Sequence, residues 1–325
     1  MKAVVYRKYG SPDVLKLEEI PKPVPNDGEV LVKIHAASLN AYDWHLLRAD
    51  PFLVRLMGGG LLKPKNTILG VDIAGRVEAI GENVKQFKPG DAVFGDTSAA
   101  GNGGVAEYVS VPERFLAPKP VNLSFEEAAA VPMAAVTALQ GLRDKGRIQP
   151  GHNALINGAS GGVGSFAVQI AKLFGADVTA VCSTGKMDLA RSLGANHVID
   201  YTKEDFTQSR QRYDLIFAAN GYHPIAAYKR ALAPGGVYVM AGGSTAQMFQ
   251  SMLMGPWMSL LGGKTMGIIV AKPSQKDLMI LKELLEAGKV VPVIDRQYPL
   301  IEVPEALRYL EEGHARGKVV IAVGG

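Results

Sequence analysis

The chain has one cysteine, Cys182, among 325 residues. One cysteine cannot close an intramolecular disulfide or build a Cys-rich zinc site. Charge of one sign is also scarce. The net charge is +4, spread along the chain without a run of Lys or Arg. That leaves no basic stripe for nucleic acid. No apolar stretch is long enough to span a bilayer. The opening Met-Lys-Ala-Val-Val-Tyr alternates like a strand rather than a signal peptide. We therefore expect a cytoplasmic protein that neither binds nucleic acid nor crosses a membrane.

What is abundant is glycine, with 37 residues, and hydrophobic side chains, at 47% against 20% charged. That balance closes real cores and excludes a disordered chain. Residues 1–120 hold short β-branched runs at 2–6, 29–37, 75–80, 91–94 and 106–112, separated by Gly, Pro and Asn, as in a partly closed β-fold. Ser124 and Glu127 form a capping-box pattern, which predicts a helix to about residue 142. Strands and helices then alternate: strands at 153–157, 177–182, 197–199, 215–218, 237–241 and 267–271, with helices between them. This α/β rhythm predicts a doubly wound parallel sheet. The tail predicts a helix at 274–287, a strand at 290–294, a helix at 303–313 and a strand at 318–323. The expected division is residues 1–124 with 272–325, and residues 125–271 as a nucleotide-binding insert.

The segment from Asn157 to Gly164 follows an apolar strand and opens a helix, as a Gly-rich dinucleotide fingerprint requires. Ala159 holds the first glycine position of that frame. Gly161 lets the backbone approach a pyrophosphate, and Gly164 allows helix and strand to pack closely. The helix N-terminus offers free N–H groups to the anion. The next strand ends in Cys182, Ser183 and Thr184, followed by Lys186, where an NAD enzyme usually carries an acid. Small hydroxyls and a cation favour the 2′-phosphate of NADPH. Lys186 also reads as an ordinary surface residue. Two apolar stretches, 51–62 and 248–261, read as packing or subunit contacts, as a wall of a substrate pocket, or as peripheral contact with a membrane.

The block from Asn157 to Lys172 resembles the medium-chain dehydrogenase/reductases, most closely the quinone oxidoreductase (zeta-crystallin-like) branch. The likeness continues through Gly70-Val71-Asp72-Ile73-Ala74-Gly75, Lys88-Pro89-Gly90-Asp91, the stretch 194–201 and the stretch 313–320. It implies a GroES-like β-rich catalytic domain, a Rossmann domain and a homodimer. It also implies a cofactor set: Thr137, Ala159, Ser160, Gly161, Gly162, Val163, Gly164, Ser183, Thr184, Lys186, Tyr201, Asn220, Gly242, Ile269, Val270 and Lys318. The positions that match the catalytic zinc ligands of related alcohol dehydrogenases are Asn40, Val71 and Met133, none a usual ligand, so no metal is expected. The reaction so implied is hydride transfer from NADPH to a small apolar electrophile, a quinone or an α,β-unsaturated carbonyl. Asn40 is the first candidate donor to the developing oxyanion. Tyr42 is the second, and reads equally as a packed loop aromatic. An NADPH-binding structural or RNA-binding role and zinc-free ketone or alcohol chemistry are the alternatives.

Overall fold

The computed structural model describes every residue except 53, 57–59, 222, 244–246, 248–249, 252–262 and 325. Most of the apolar stretch 248–261 therefore lies outside the described residues. The chain divides into two units. The first contains Met1–Met133, Pro273–Gly288 and Pro292–Gly325, and the second contains Ala134–Lys272 with Lys289–Val291.

The first unit starts with the hairpin β1 (Lys2–Val5) and β2 (Lys16–Glu19). Then come β3 (Glu29–Leu39), α1 (Ala41–Arg48), β4 (Asp72–Ile80), β5 (Ala92–Asp96), β6 (Tyr108–Pro112), β7 (Leu116–Pro118) and α2 (Phe125–Ala129). Ser124 caps α2 as its sequence predicts. Its Oγ accepts from the Glu127 N–H at 3.1 Å, and Glu127 Oε2 accepts the Ser124 N–H at 2.8 Å. The expected single helix to residue 142 is broken after α2. Pro132 starts a second helix, α3 (Pro132–Gln140), because its ring and missing N–H suit a first turn but not an interior.

The second unit holds β8 (Asn153–Asn157), α4 (Gly162–Leu173), β9 (Asp177–Cys182), α5 (Met187–Ser192), β10 (His197–Asp200), β11 (Tyr213–Ala218), α6 (Ile225–Ala231), β12 (Leu232–Met240) and β13 (Thr265–Ile268). All pairings are parallel, in the order β10-β9-β8-β11-β12-β13. This is the doubly wound Rossmann order. Its core is rich in aromatics, with Tyr213, Tyr228 and Tyr238 fully covered.

The chain then returns to the first unit with α7 (Gln275–Glu286), β14 (Ile294–Pro299), α8 (Val303–Glu311) and β15 (Lys318–Ala322). The expected strand at 290–294 begins four residues later. Val291 is engaged elsewhere: its N–H donates to Gln169 Oε1, and its carbonyl accepts from Gln169 Nε2. The larger sheet runs β14-β15-β3-β4-β5-β7, with β6 also on β3. Only β14–β15 is parallel in it.

Candidate functional site

In the second unit, one candidate group follows the carboxyl end of every strand: the loop 158–164 after β8, Ser183 and Thr184 after β9, Tyr201 after β10, Asn220 after β11, Gly242 after β12, and Ile269 with Val270 after β13. That edge is where open parallel sheets bind ligands. Thr137 is set apart, buried on α3.

The loop is built on close backbone approach. Gly158 has φ +78°, and a Cβ there would lie 2.8 Å from the Asn220 backbone N. Gly158 therefore makes the tight turn, one residue before the Ala159 position that the motif frame assigns to it. Gly164 is pressed against the same turn, because a Cβ on it would lie 2.0 Å from the Gly158 carbonyl oxygen. Gly161 differs. A Cβ there would meet only the Gly158 oxygen, at 3.6 Å, so the space outside it is open. Gly161 caps α4 without a side-chain bond, so the first-turn N–H groups have no capping side chain. Room beside free donors at a helix start suits a pyrophosphate.

The next two strand ends meet. The Tyr201 N–H donates to the Cys182 carbonyl at 3.1 Å. Ser183 and Lys186 are half-buried, and Tyr201 is exposed. Thr184 is bonded within the protein. Its hydroxyl donates to Asp200 Oδ2, so its one proton is committed to a carboxylate rather than offered to a phosphate. Asp200 also accepts from the Thr202 N–H and hydroxyl. The Thr184 and Thr202 hydroxyls hold its carboxyl down at about 2. The sequence shows no acid at the end of the second strand, but the fold brings this one over from the third.

In the first unit, register places a polar row across three adjacent strands. Ser38 of β3 faces Asp72 of β4, and Asp72 faces Asp96 of β5. Asn40 lies one residue beyond β3, beside Lys318 at the start of β15. The Lys318 ammonium, expected to reach the cofactor, is buried and held by Asn40 Oδ1 and, at 3.0 Å, by Asp72 Oδ2. Asp72 Oδ2 also accepts from Ser38 Oγ and Asn40 Nδ2, each at 2.9 Å, and Oδ1 accepts from the Met133 N–H at 2.7 Å. Two of the positions matched to zinc ligands, Asn40 and Met133, thus bond to one carboxylate, and the third, Val71, is its neighbour in the chain. Tyr42, on α1, is 37% exposed.

Two more acids lie nearby. Asp43 is buried, accepting from the backbone N–H groups of Asn40 and Gly70, each at 2.8 Å. Burial nevertheless pushes its carboxyl up to about 7. Burial, then the neighbouring Asp72, pushes Asp96 up to about 6. Nothing in the sequence marks Asp72 or Asp96 as site residues, since their role depends on strand register. Below about pH 4 these groups are protonated in both the folded and unfolded chains. As pH rises, the unfolded chain releases its protons first, so this stability is lost as pH climbs through the folded values. The thermal midpoint should therefore fall between about pH 5 and about pH 8. Asp96→Asn keeps an acceptor for the Ser98 N–H and should shrink that fall. A midpoint that rises across this range in both proteins would contradict the assignment.

A glycine turn at a helix start on a 3-2-1-4-5-6 parallel sheet, in a chain that also carries a mostly antiparallel unit, is the arrangement of dinucleotide-binding oxidoreductases. Comparisons with known proteins agree. Residues 26–121 match the alcohol dehydrogenase GroES-like domain, and residues 193–321 match the family described as zinc-binding dehydrogenase. A 2-methylene-furan-3-one reductase of Solanum lycopersicum is 40% identical over 99% of this chain and 79% of its own. An NADPH-dependent alkenal/one oxidoreductase, chloroplastic, of Arabidopsis thaliana is 37% identical over 99% and 79%. The solved quinone oxidoreductase from Coxiella burnetii superposes with a TM-score of 0.88 at 30% identity, covering 100% of this chain and 99% of that one. The chain belongs to the medium-chain dehydrogenase/reductase superfamily, in its quinone oxidoreductase branch. No helix among the described residues is long and apolar enough to cross a membrane.

Proposed function

We propose that the protein is an NADPH-dependent, zinc-independent reductase of quinones or α,β-unsaturated carbonyls, working as a cytoplasmic homodimer. The observation that carries this reading is the cluster around Asp72. Zinc suits a cluster of Cys, His or acid ligands, and among the described residues no three His, Cys, Asp or Glu side chains come together for one. At the matched positions the chain has a carboxamide, a valine and a methionine, with a lysine ammonium against the neighbouring acid. That set offers a hydrogen-bond donor in place of a Lewis acid. Reduction of an activated π system needs no more. The names of the tomato and Arabidopsis relatives support the same substrate class.

A nicotinamide held here would supply a hydride to the β-carbon of an enone or to a quinone, leaving negative charge on the carbonyl oxygen for a solvent proton to quench. The loop from Gly158 to Gly164 would hold the pyrophosphate. Ser183, Lys186 and Tyr201 would face the 2′-phosphate, with Thr184 as their support through Asp200. The Asn40 carboxamide would donate to the charged oxygen.

The test is a panel of quinones, enones and simple ketones, each offered with NADPH and with NADH. Turnover of quinones or enones with a preference for NADPH is expected, and turnover of ketones alone would overturn the reading. In the same assay Lys186→Ala should weaken NADPH binding about tenfold, the scale of one lost phosphate contact, and leave NADH binding unchanged. Equal loss with both would remove the phosphate assignment.

A further inference from the structure

The Asn40 side chain is held at both ends by groups that admit one arrangement. A carboxamide has an acceptor oxygen and a donor nitrogen that a half-turn exchanges. The Lys318 ammonium can only donate, so it requires the oxygen. Four donors converge on Asp72, among them the Met133 backbone N–H and Lys318, neither of which can accept, so Asp72 acts as an acceptor and requires the nitrogen. Flipping Asn40 would set its N–H groups against the ammonium and its oxygen against the carboxylate. Both restraints are buried: Lys318 is 3% exposed and Asp72 is 0%. One Nδ2–H is spent on Asp72, and the second is left over.

We propose that Lys318 and Asp72 are positioning residues that lock the Asn40 carboxamide in one flip state and polarise it, so that its second Nδ2–H is the donor to the acceptor's carbonyl oxygen. The proposal rests on the reductase reading above. A cation on the amide oxygen draws density from the amide nitrogen and strengthens its remaining N–H as a donor. The electrostatic pull of a metal is thereby delivered through a neutral group. Lys318 touches neither substrate nor cofactor in this scheme and acts only through Asn40.

A double-mutant cycle on the full chain tests it. Asn40→Ala should lower kcat about a hundredfold, as loss of an oxyanion donor does. Lys318→Met should lower kcat about tenfold, within the range of coupled neighbours. The double variant should be no slower than Asn40→Ala alone, because Lys318 then has nothing to act through. Lys318→Arg keeps a donor for the amide oxygen and should recover most of the kcat. NADPH affinity should be unchanged throughout. If Lys318→Met costs the same tenfold with and without Asn40, or folds and keeps the full kcat, the proposal is wrong. Should Lys318→Met fail to fold, Lys318→Met with Asp72→Leu removes the charges together and takes its place in the cycle.

A second readout needs no turnover. In a protein labelled with 15N only at asparagine side chains, the Asn40 amide, assigned by its loss in Asn40→Ala, should give proton and nitrogen shifts well away from those of an exposed asparagine amide, because its oxygen accepts from a cation and one N–H donates to a carboxylate. In Lys318→Met the shifts should move towards the exposed values. A wild-type amide with the shifts of an exposed asparagine would sink the lock. If the wild type reduces no acceptor but its amide is locked, the reductase reading fails and the lock stands.

Discussion

Gly164→Ala is expected to abolish measurable NADPH binding and to lower the thermal midpoint sharply. The added methyl would lie 2.0 Å from the Gly158 carbonyl oxygen, 2.8 Å from the Gly158 carbonyl carbon and 2.9 Å from the Ala159 Cα. All three are backbone atoms, so no side-chain rotation relieves the overlap. The turn between β8 and α4 must open, and Gly158 is itself fixed against Asn220. Overpacking of this kind costs about 3 kcal/mol or more. Displacing the helix start by about 1 Å costs about a hundredfold in a positioned interaction. The contrast is Gly161→Ala, whose methyl has space and meets only the Gly158 oxygen at 3.6 Å. It should fold normally and still bind cofactor poorly, because the methyl fills the room a phosphate needs. Titration calorimetry with NADPH and thermal melts separate the two. Equal melting of Gly164→Ala and wild type would refute the close-packing argument.

Asp72→Ala should be the most destabilising change in the first unit. It would strip the buried Lys318 ammonium of its counter-charge and orphan Ser38, Asn40 Nδ2 and the Met133 N–H together. Removing one partner of a buried ion pair costs about 3–5 kcal/mol. The pair as a whole is worth far less, since desolvation offsets much of its attraction. Asp72→Leu combined with Lys318→Met should therefore recover most of the stability while leaving turnover low. Urea unfolding midpoints check both statements. If the double replacement is as unstable as Asp72→Ala, the loss comes from the orphaned amides rather than the stranded charge.

The Rossmann unit was legible because its signals are local. The strands β8 and β9 are short, largely apolar runs set off by Gly151, Gly158, Gly175 and Gly185, so they fall where the alternation places them. The loop was legible in position but not in detail. The motif frame puts Ala159 where a glycine usually turns, and only the backbone shows Gly158 doing that work. Pro132 marks a helix break that the alanine-rich run around it conceals. The polar row was illegible for a different reason. Ser38, Asp72, Asp96 and Lys318 come from four strands, and nothing near Lys318 in the sequence says that it faces inward. The bond from Thr184 to Asp200 was hidden in the same way, since Asp200 sits on a neighbouring strand.

The order in which the chain is made gives the buried lysine a further consequence. The last residue of the nucleotide-binding unit is Val291, whereas Lys318 follows Asn40 by 278 positions. The loop from Gly158 to Gly164 is therefore complete in sequence long before Lys318 is added. A chain cut short before β15 would keep that loop and lose the side chain that fixes the Asn40 oxygen.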